Sequence, residues 1–276
     1  MPFFIGIGVI RLSNNFYEAL LRREDVSDWL FKARDLTCLR VAPQWQLVVA
    51  CDSLGGIGQK PLDLVQAAPE TVGHFSLRVP LLEVICAGAR PFLIIDTLSV
   101  EAGAYGQAIL AGIKALAAEA GLIDDVHFNG STEKNVLSQQ TGLGVTVVGM
   151  ADSVNARLGT SMPGDLLLLV GLPKSAPAHD VRIGDPDIVT LREVEWLRAQ
   201  NGVHDMVPVG SRGVAEEAHQ LAEYSRTTPI LDGAFANARD SGGPHTSVLV
   251  ACSAEIAPAL IKKLHSPIQR VGRLAN

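Results

Sequence analysis

Residues Leu47 to Asp63 read LVVACDSLGGIGQKPLD: an apolar run breaks into an aspartate, three glycines, a lysine and a second aspartate. Gly55, Gly56 and Gly58 let a backbone turn its N–H groups toward an anion, and Lys60 adds a cation. Asp52 or Asp63 offers carboxylate oxygens to a divalent metal. The spacing is neither G-x-x-x-x-G-K-S/T nor G-x-G-x-x-G entering a helix, so the common nucleotide motifs do not account for it. Residue types alone leave two readings open: a phosphate-binding loop, or a Gly-rich turn with a solvated lysine.

Outward from this stretch the chain alternates strand and helix. Apolar periodicity predicts a strand over FFIGIGVIRL and a helix over NFYEALLRREDVSDWLFKARD, capped by Asn14 or Asn15. It predicts a strand at Leu47 to Ala50, a helix over Leu81 to Ala87 opened by Pro80, and a strand in PFLIIDTLSV. A helix over Glu101 to Ala120 then carries Ile109, Ile113 and Leu116 on one face, a strand end runs into the polar loop NGSTE, and GVTVVGMAD is another strand. The turn Pro163, Gly164, Asp165 before LLLLVGLP marks a domain boundary. Beyond it, Thr190 and Glu193 form a capping box for a helix ending at Asn201 and Gly202, and Val214, Ala218, Leu221 and Ala222 mark a second helical face. TSVLVACS and IQRVGRL read as strands around the helix IAPALIKKL. The pattern predicts an α/β (α+β) chain of two domains, residues 1–155 and 156–276.

Composition excludes several classes. With 276 residues and 47% hydrophobic content there is ample material for a core, while the longest apolar runs fall short of a membrane span. Met1 leads into apolar residues without a basic n-region, so a cytoplasmic protein is expected. A net charge of −6 argues against nucleic-acid binding. Cys38, Cys51, Cys86 and Cys252 lack C-x-x-C spacing and read as reduced core thiols. His127, His204 and His245 lack metal-binding spacing, and no G-x-S-x-G elbow supports a serine hydrolase.

Three further features carry chemistry. Asp96 ends the apolar run FLII, and Glu83 lies inside PLLEVICAGA, where a carboxylate is costly without a partner, a metal or water. NGSTEKN, Asn129 to Asn135, combines a glycine, two hydroxyls, Glu133 and Lys134. It suits phosphate with Mg²⁺, or equally a helix N-cap with an acidic first turn.

In order along the chain, these pieces resemble the PurM-like superfamily of aminoimidazole ribonucleotide synthase, thiamine-monophosphate kinase, selenophosphate synthetase and the hydrogenase maturation protein HypE. Asp52 with GGIGQK is similar to that synthase's D-G-V-G-T-K, and TVGHFSLRVPLLEVICAGARPFLIID to its stretch from T-V-G through N-D to G-A-x-P-L and L-D. NGST resembles the G-G-E-T or G-G-D-T loop, PGDLLLLVG the P-G-D strand, VHDMVPVGSRGVAEEAHQLA the glycine-rich start of a C-terminal helix, and SGGPHTSVLV the S-G-G strand.

The resemblance implies a two-domain chain, an N-terminal domain binding ATP and Mg²⁺, a C-terminal α/β domain, and a homodimer in which N-terminal strands meet. It places Lys60, Glu83 and Asp96 on the family's lysine, N-D aspartate and L-D aspartate, and Gly130, Ser131 and Thr132 in the G-G-x-T loop. Departures accompany it: Gly55 takes the motif's aspartate position and leaves Asp52 three residues early, Leu82 replaces the asparagine, and Ser131 replaces the loop carboxylate with Glu133 two residues on. HypE's C-terminal cysteine and selenophosphate synthetase's Cys-Lys pair have no counterpart. CDSLGGIG with GSTE looks most like the α-ribazole kinase (CblS-type) branch of cobalamin salvage. The expectation is a kinase using ATP on the 5′-hydroxyl of α-ribazole, with Asp52 and Asp96 as catalytic carboxylates. Asp52, Glu83, Asp96 and Glu133 are then the metal ligands, and Gly55, Gly56, Gly58, Lys60 and Gly130 to Thr132 hold phosphate. A synthase-like cyclo-ligase, a thiamine-phosphate-kinase-like enzyme and a non-catalytic nucleotide-binding regulator are the alternatives.

Overall fold

The structure, a computed structural model, describes residues 16–233 and 238–276. The strand expected in FFIGIGVIRL and the cap at Asn14 or Asn15 lie outside them. A short helix α1 (Phe16–Leu21) leads to strands β1 (Leu30–Ala33), β2 (Leu36–Ala42), β3 (Trp45–Gly55), β4 (Ile57–Gly58) and β5 (Val65–Gln66). Helix α2 (Pro69–Cys86), β6 (Arg90–Glu101), α3 (Ala104–Glu119), β7 (Phe128–Glu133) and β8 (Gly142–Asp152) follow. The first sheet runs β1-β2-β3-β8-β6-β7, antiparallel except for the β6–β7 pair.

The remaining residues give β9 (Leu166–Val170), α4 (Leu191–Arg198), β10 (Val203–Pro208), α5 (Gly213–Ser225), β11 (Thr228–Leu231), β12 (Val248–Cys252), α6 (Ala257–Lys263) and β13 (Ile268–Ala275). Their antiparallel sheet runs β10-β12-β9-β13-β11. The chain is thus mixed α/β, as expected. The Thr190–Glu193 capping box forms, although α4 stops at Arg198.

Strand β8 shows why the first sheet lies where it does. Leu143, Val145, Val147, Gly149 and Ala151 are buried, and the residues between them are half-exposed, the period-two pattern of a sheet covered on one face. The cover is α2, which is apolar almost all round and therefore buried on almost every side. It lies between the first sheet, α3, α4 and β10. Gly73 of α2 meets the Ile109 carbonyl of α3, and Gly112 of α3 meets the Glu70 backbone of α2, so each helix presents a glycine where the other's backbone comes close. One core joins these elements to Leu168, Val170, Val248 and Val250 of the second sheet, whose other face packs Leu167, Leu169 and Leu249 against α5.

Several expectations are corrected. Pro80 sits inside α2, which begins at Pro69, where a missing N–H costs nothing; burial on all sides carries the helix through Pro80. The helix expected over Asn15 to Asp35 ends at Leu21, and Leu30 to Ala42 form a hairpin whose pairing with β3 overrides local helical spacing. β6 extends to Glu101, so α3 starts at Ala104. NGSTE is part of β7, with Asp96 opposite Gly130 and Thr97 opposite Ser131. Cys51 is exposed, whereas the other three cysteines are buried.

Candidate functional site

A cavity of about 880 Å³ lies between the first sheet with α2 and loops of the second half. Asp35 reaches it from the β1–β2 turn, Asp52, Ser53 and Gly55 from β3, and Phe75, Val79 and Glu83 from α2. The facing wall comes from His179 and Asp180, from Gly210 and Ser211 before α5, and from Ser241, Gly243, Pro244 and His245. Strand alternation puts Asp52 on the same face as buried Val48 and Ala50. Burial pushes its pKa up; a hydrogen bond from the Ser53 backbone opposes this and the nearby Asp35 charge adds to it.

Glu83 is more deeply placed. It is 7% exposed, and its Oε1 lies 3.5 Å from His245 Nε2. His245 Nδ1 is 3.2 Å from the Val79 carbonyl, which only accepts, so Nδ1 carries the proton and Nε2 turns a lone pair toward Glu83. A proton on Glu83 satisfies that arrangement. Burial, with Asp35 and Glu217 nearby, pushes its pKa up to about 8, and burial holds His245 down to about 3. Burial therefore favours the neutral acid at Glu83, 3.5 Å from an imidazole that burial also keeps neutral, an environment unlike the ionised metal ligand expected from sequence. Glu217, also lifted by burial to about 7, accepts from the Gly210 N–H at 3.3 Å.

The other expected residues are not brought to this cavity. Asp96, Gly130 and Thr132 line a separate pocket of about 210 Å³ with Lys114 and Phe128. The Asp96 carboxylate lies over Gly130, where a side chain would collide with it, and burial raises its pKa. Ser131 lines neither cavity. The carboxylate of Glu133 accepts from the N–H groups of Lys134, Asn135 and Val136, closing its own turn.

The glycine stretch is largely committed internally. The Gly56 N–H donates to the Thr141 carbonyl at 2.9 Å, the Gln59 N–H to Tyr105 Oη at 3.0 Å, and the Lys60 N–H to Asp63 Oδ2 at 2.7 Å. Gly58, at φ +155°, packs so closely on Tyr105, Thr141 and Asp63 that any side chain would collide. The Lys60 ammonium pairs with Glu101, whose pKa that hydrogen bond lowers to about 2. Of the nominated residues, the large cavity therefore gathers Asp52, Gly55 and Glu83 alone.

Sequence reading missed Asp35, Glu217 and the role of His245. Asp35 follows Arg34, which takes φ +54° in the hairpin turn without the glycine or asparagine that would have marked it. Two arginines tie the halves together around the site. Arg34 donates to Asp205 Oδ2 at 2.6 Å and to the Met206 carbonyl at 3.0 Å. Arg78 donates to the carbonyls of His245 at 3.0 Å and Val189 at 2.5 Å.

The sheets, helices and their order define a PurM-like fold. Residues 33–151 match the family described as AIR synthase related protein, N-terminal domain. Among solved structures, the thiamine-monophosphate kinase of Stenotrophomonas maltophilia K279a is similar at 20% identity, with a TM-score of 0.61, over 94% of this chain and 92% of the other. AaThiL complexed with AMPPCP and TMP is similar at 14% identity and TM-score 0.61, over 94% and 89% of the two chains. The hydrogenase maturation protein HypE in complex with ATP is similar at 16% identity and TM-score 0.60, over 83% and 77%. No curated protein matches the chain significantly in sequence. No described helix is long and apolar enough to cross a membrane.

Proposed function

We propose that the chain is an ATP- and Mg²⁺-dependent small-molecule kinase whose acceptor is α-ribazole, phosphorylated on its 5′-hydroxyl. The observation that carries this reading is the cavity of about 880 Å³ with two aspartates, Asp35 and Asp52, on one wall and a wall of glycine and serine facing them. Its size suits a nucleotide or a nucleotide with part of an acceptor. Similar folds hold ATP in HypE and AMPPCP with TMP in AaThiL, which supports a nucleotide here.

The donor set fits Mg²⁺. Among the described residues no three ligating side chains are grouped to hold an ion alone. Mg²⁺ suits such a wall, because it commonly takes one or two carboxylates and completes its shell with phosphate oxygens and water. Asp35 and Asp52 would hold it, and the ion when bound would neutralise phosphate charge. Phosphoryl transfer requires mainly positioning and charge stabilisation. Gly55, Gly210 and Gly243 leave room at the wall, Ser211 and Ser241 offer hydroxyls, and Phe75, Val79 and Pro80 exclude water from one side. We take residues 1–155 and 156–276 as the two domains, and described residues of both line the cavity.

We place the homodimer contact on the face of the first sheet opposite α2. Leu47, Val49, Val148 and Met150 stand there half-exposed, with Trp45 47% exposed at the edge.

The test is ADP release and ³¹P NMR with ATP, Mg²⁺ and α-ribazole, beside thiamine monophosphate and formylglycinamidine ribonucleotide. Absence of turnover with α-ribazole would sink the substrate. The internally bonded glycine stretch and the Lys60–Glu101 pair favour one second reading, a nucleotide-binding regulator. Binding of Mg-ATP without acceptor-dependent ADP release would select it.

A further inference from the structure

We infer that Lys32, a residue of the β1–β2 hairpin that no motif marks, is the cation that holds the nucleotide's phosphates in the large cavity. This rests on the kinase reading and deepens it, because it assigns the phosphate-binding charge to a particular side chain. A divalent ion at Asp35 and Asp52 cancels only part of the charge of a triphosphate, and those carboxylates add negative charge of their own. A cation with free donors on the same wall offsets the remainder.

Among the described residues lining the cavity, two are permanent cations, Lys32 and Arg34. Arg34 is committed: Nη1 donates to the Met206 carbonyl, Nη2 pairs with Asp205, and the side chain is 3% exposed. Lys32 is exposed, and its ammonium donates to one neutral acceptor, Thr37 Oγ1, at 2.5 Å. An ammonium carries three N–H groups, so two remain free, and among the described residues no carboxylate pairs with it. The lysine of the glycine stretch cannot take this part from where it stands, since Lys60 is outside the lining and paired with Glu101.

The hairpin holds the ammonium in place. Lys32 stands opposite Thr37 in the β1–β2 register, so their hydrogen bond lies within one cross-strand pair. Ala33 and Leu36, the next pair, are buried, which puts Lys32 and Thr37 on the face opposite α2. The cavity extends to Lys32 round the end of the hairpin, where Cys51 and Ser53 of β3 also line it. Asp35 belongs to the same hairpin, and Arg34 beside it ties the turn to β10. A phosphate chain passing the hairpin end meets the ion at Asp35 and the ammonium of Lys32 together.

The test is calorimetric titration of the full chain with Mg-ATP for the wild type, Lys32→Gln and Lys32→Arg. Lys32→Gln is expected to weaken Mg-ATP binding about tenfold or more, with the melting temperature and the sedimentation of the wild type, because the side chain is exposed. Lys32→Arg restores the charge and is expected to bind within about threefold of the wild type. Added salt should weaken binding more steeply for the wild type than for Lys32→Gln. A smaller loss in Lys32→Gln overturns the inference, as does binding to Lys32→Arg no tighter than to Lys32→Gln. The kinase reading fails separately, when Mg-ATP binding depends on Lys32 but no acceptor drives ADP release; a wild type that binds no Mg-ATP removes both.

Discussion

Asp52 and Asp96 stand opposite the same residue, Val145, one from each neighbouring strand: β3 pairs Asp52 with it and β6 pairs Asp96 with it. The two carboxylates therefore share the α2 face of the sheet at two strand spacings, roughly 10 Å apart. Burial raises the pKa of both. Yet Asp52 opens into the large cavity and Asp96 into the small pocket beside Lys114. Phosphate chemistry in the large cavity then predicts unequal losses. Asp52→Asn should lower kcat by about 100-fold or more and weaken Mg-ATP binding, while Asp96→Asn stays within about threefold. Coupled ADP release measures both, and equal losses would move the chemistry away from the large cavity.

Glu83 gives the chain a pH-dependent stability. The folded state opposes its ionisation and the unfolded state does not, so its contribution is full below the unfolded value of 4.5 and is lost as pH rises to about 8. Glu83→Gln keeps the shape and a donor for His245 without the titration. The variant should gain about 2 kcal/mol or more over the wild type at pH 8.5 relative to their difference at pH 4. Urea melts at the two pH values provide the measurement. An identical difference at both would show that Glu83 is already ionised in the folded chain.

How much of this was legible in the sequence depends on how local the cause is. Strands such as β8, β9 and β12 declare themselves by apolar spacing and turn residues, and the Thr190–Glu193 box is complete within four positions. The β1–β2 hairpin does not, because Arg34 occupies the positive-φ turn position and the stabilising partner is β3. Asp52 and Glu83 stood out as carboxylates in apolar surroundings. Asp35 and His245 did not, since the β1–β2 turn brings the first to the cavity and only the packing of the second half on α2 brings the other to Glu83. The glycine stretch looked free to bind phosphate, but its N–H groups find Thr141 and Tyr105, distant in sequence.

The contact between α2 and α3 should tolerate no added side chain. A methyl at Gly112 would meet the Glu70 backbone, and one at Gly73 the Ile109 carbonyl; neither obstacle is a flexible side chain. Gly112→Ala is therefore expected to cost about 2–3 kcal/mol. Gly142→Ala, whose nearest neighbour would be Ser99 Cβ at 3.6 Å in an ordinary contact, should stay within about 0.5 kcal/mol. Chemical denaturation of the two variants makes the comparison, and similar losses would mean that α2 and α3 can move apart at little cost.

The dimer proposal is tested on the open face of the first sheet. Val49 and Val148 are directly opposed across β3 and β8, and Leu47 and Met150 form the next pair on that face. Water reaches these side chains in the isolated chain, so charge there should spare the monomer's fold while opposing face-to-face association through desolvation. Sedimentation is expected to show a dimer for the wild type and a monomer for Val49→Asp with Val148→Asp, with the unfolding transition of the variant still cooperative. Mg-ATP affinity should remain within about threefold, because Asp35 and Asp52 belong to the cavity on the α2 side. A wild type that sediments as a monomer at micromolar concentration would remove the dimer, and loss of ATP binding with dissociation would show that a partner subunit completes the site.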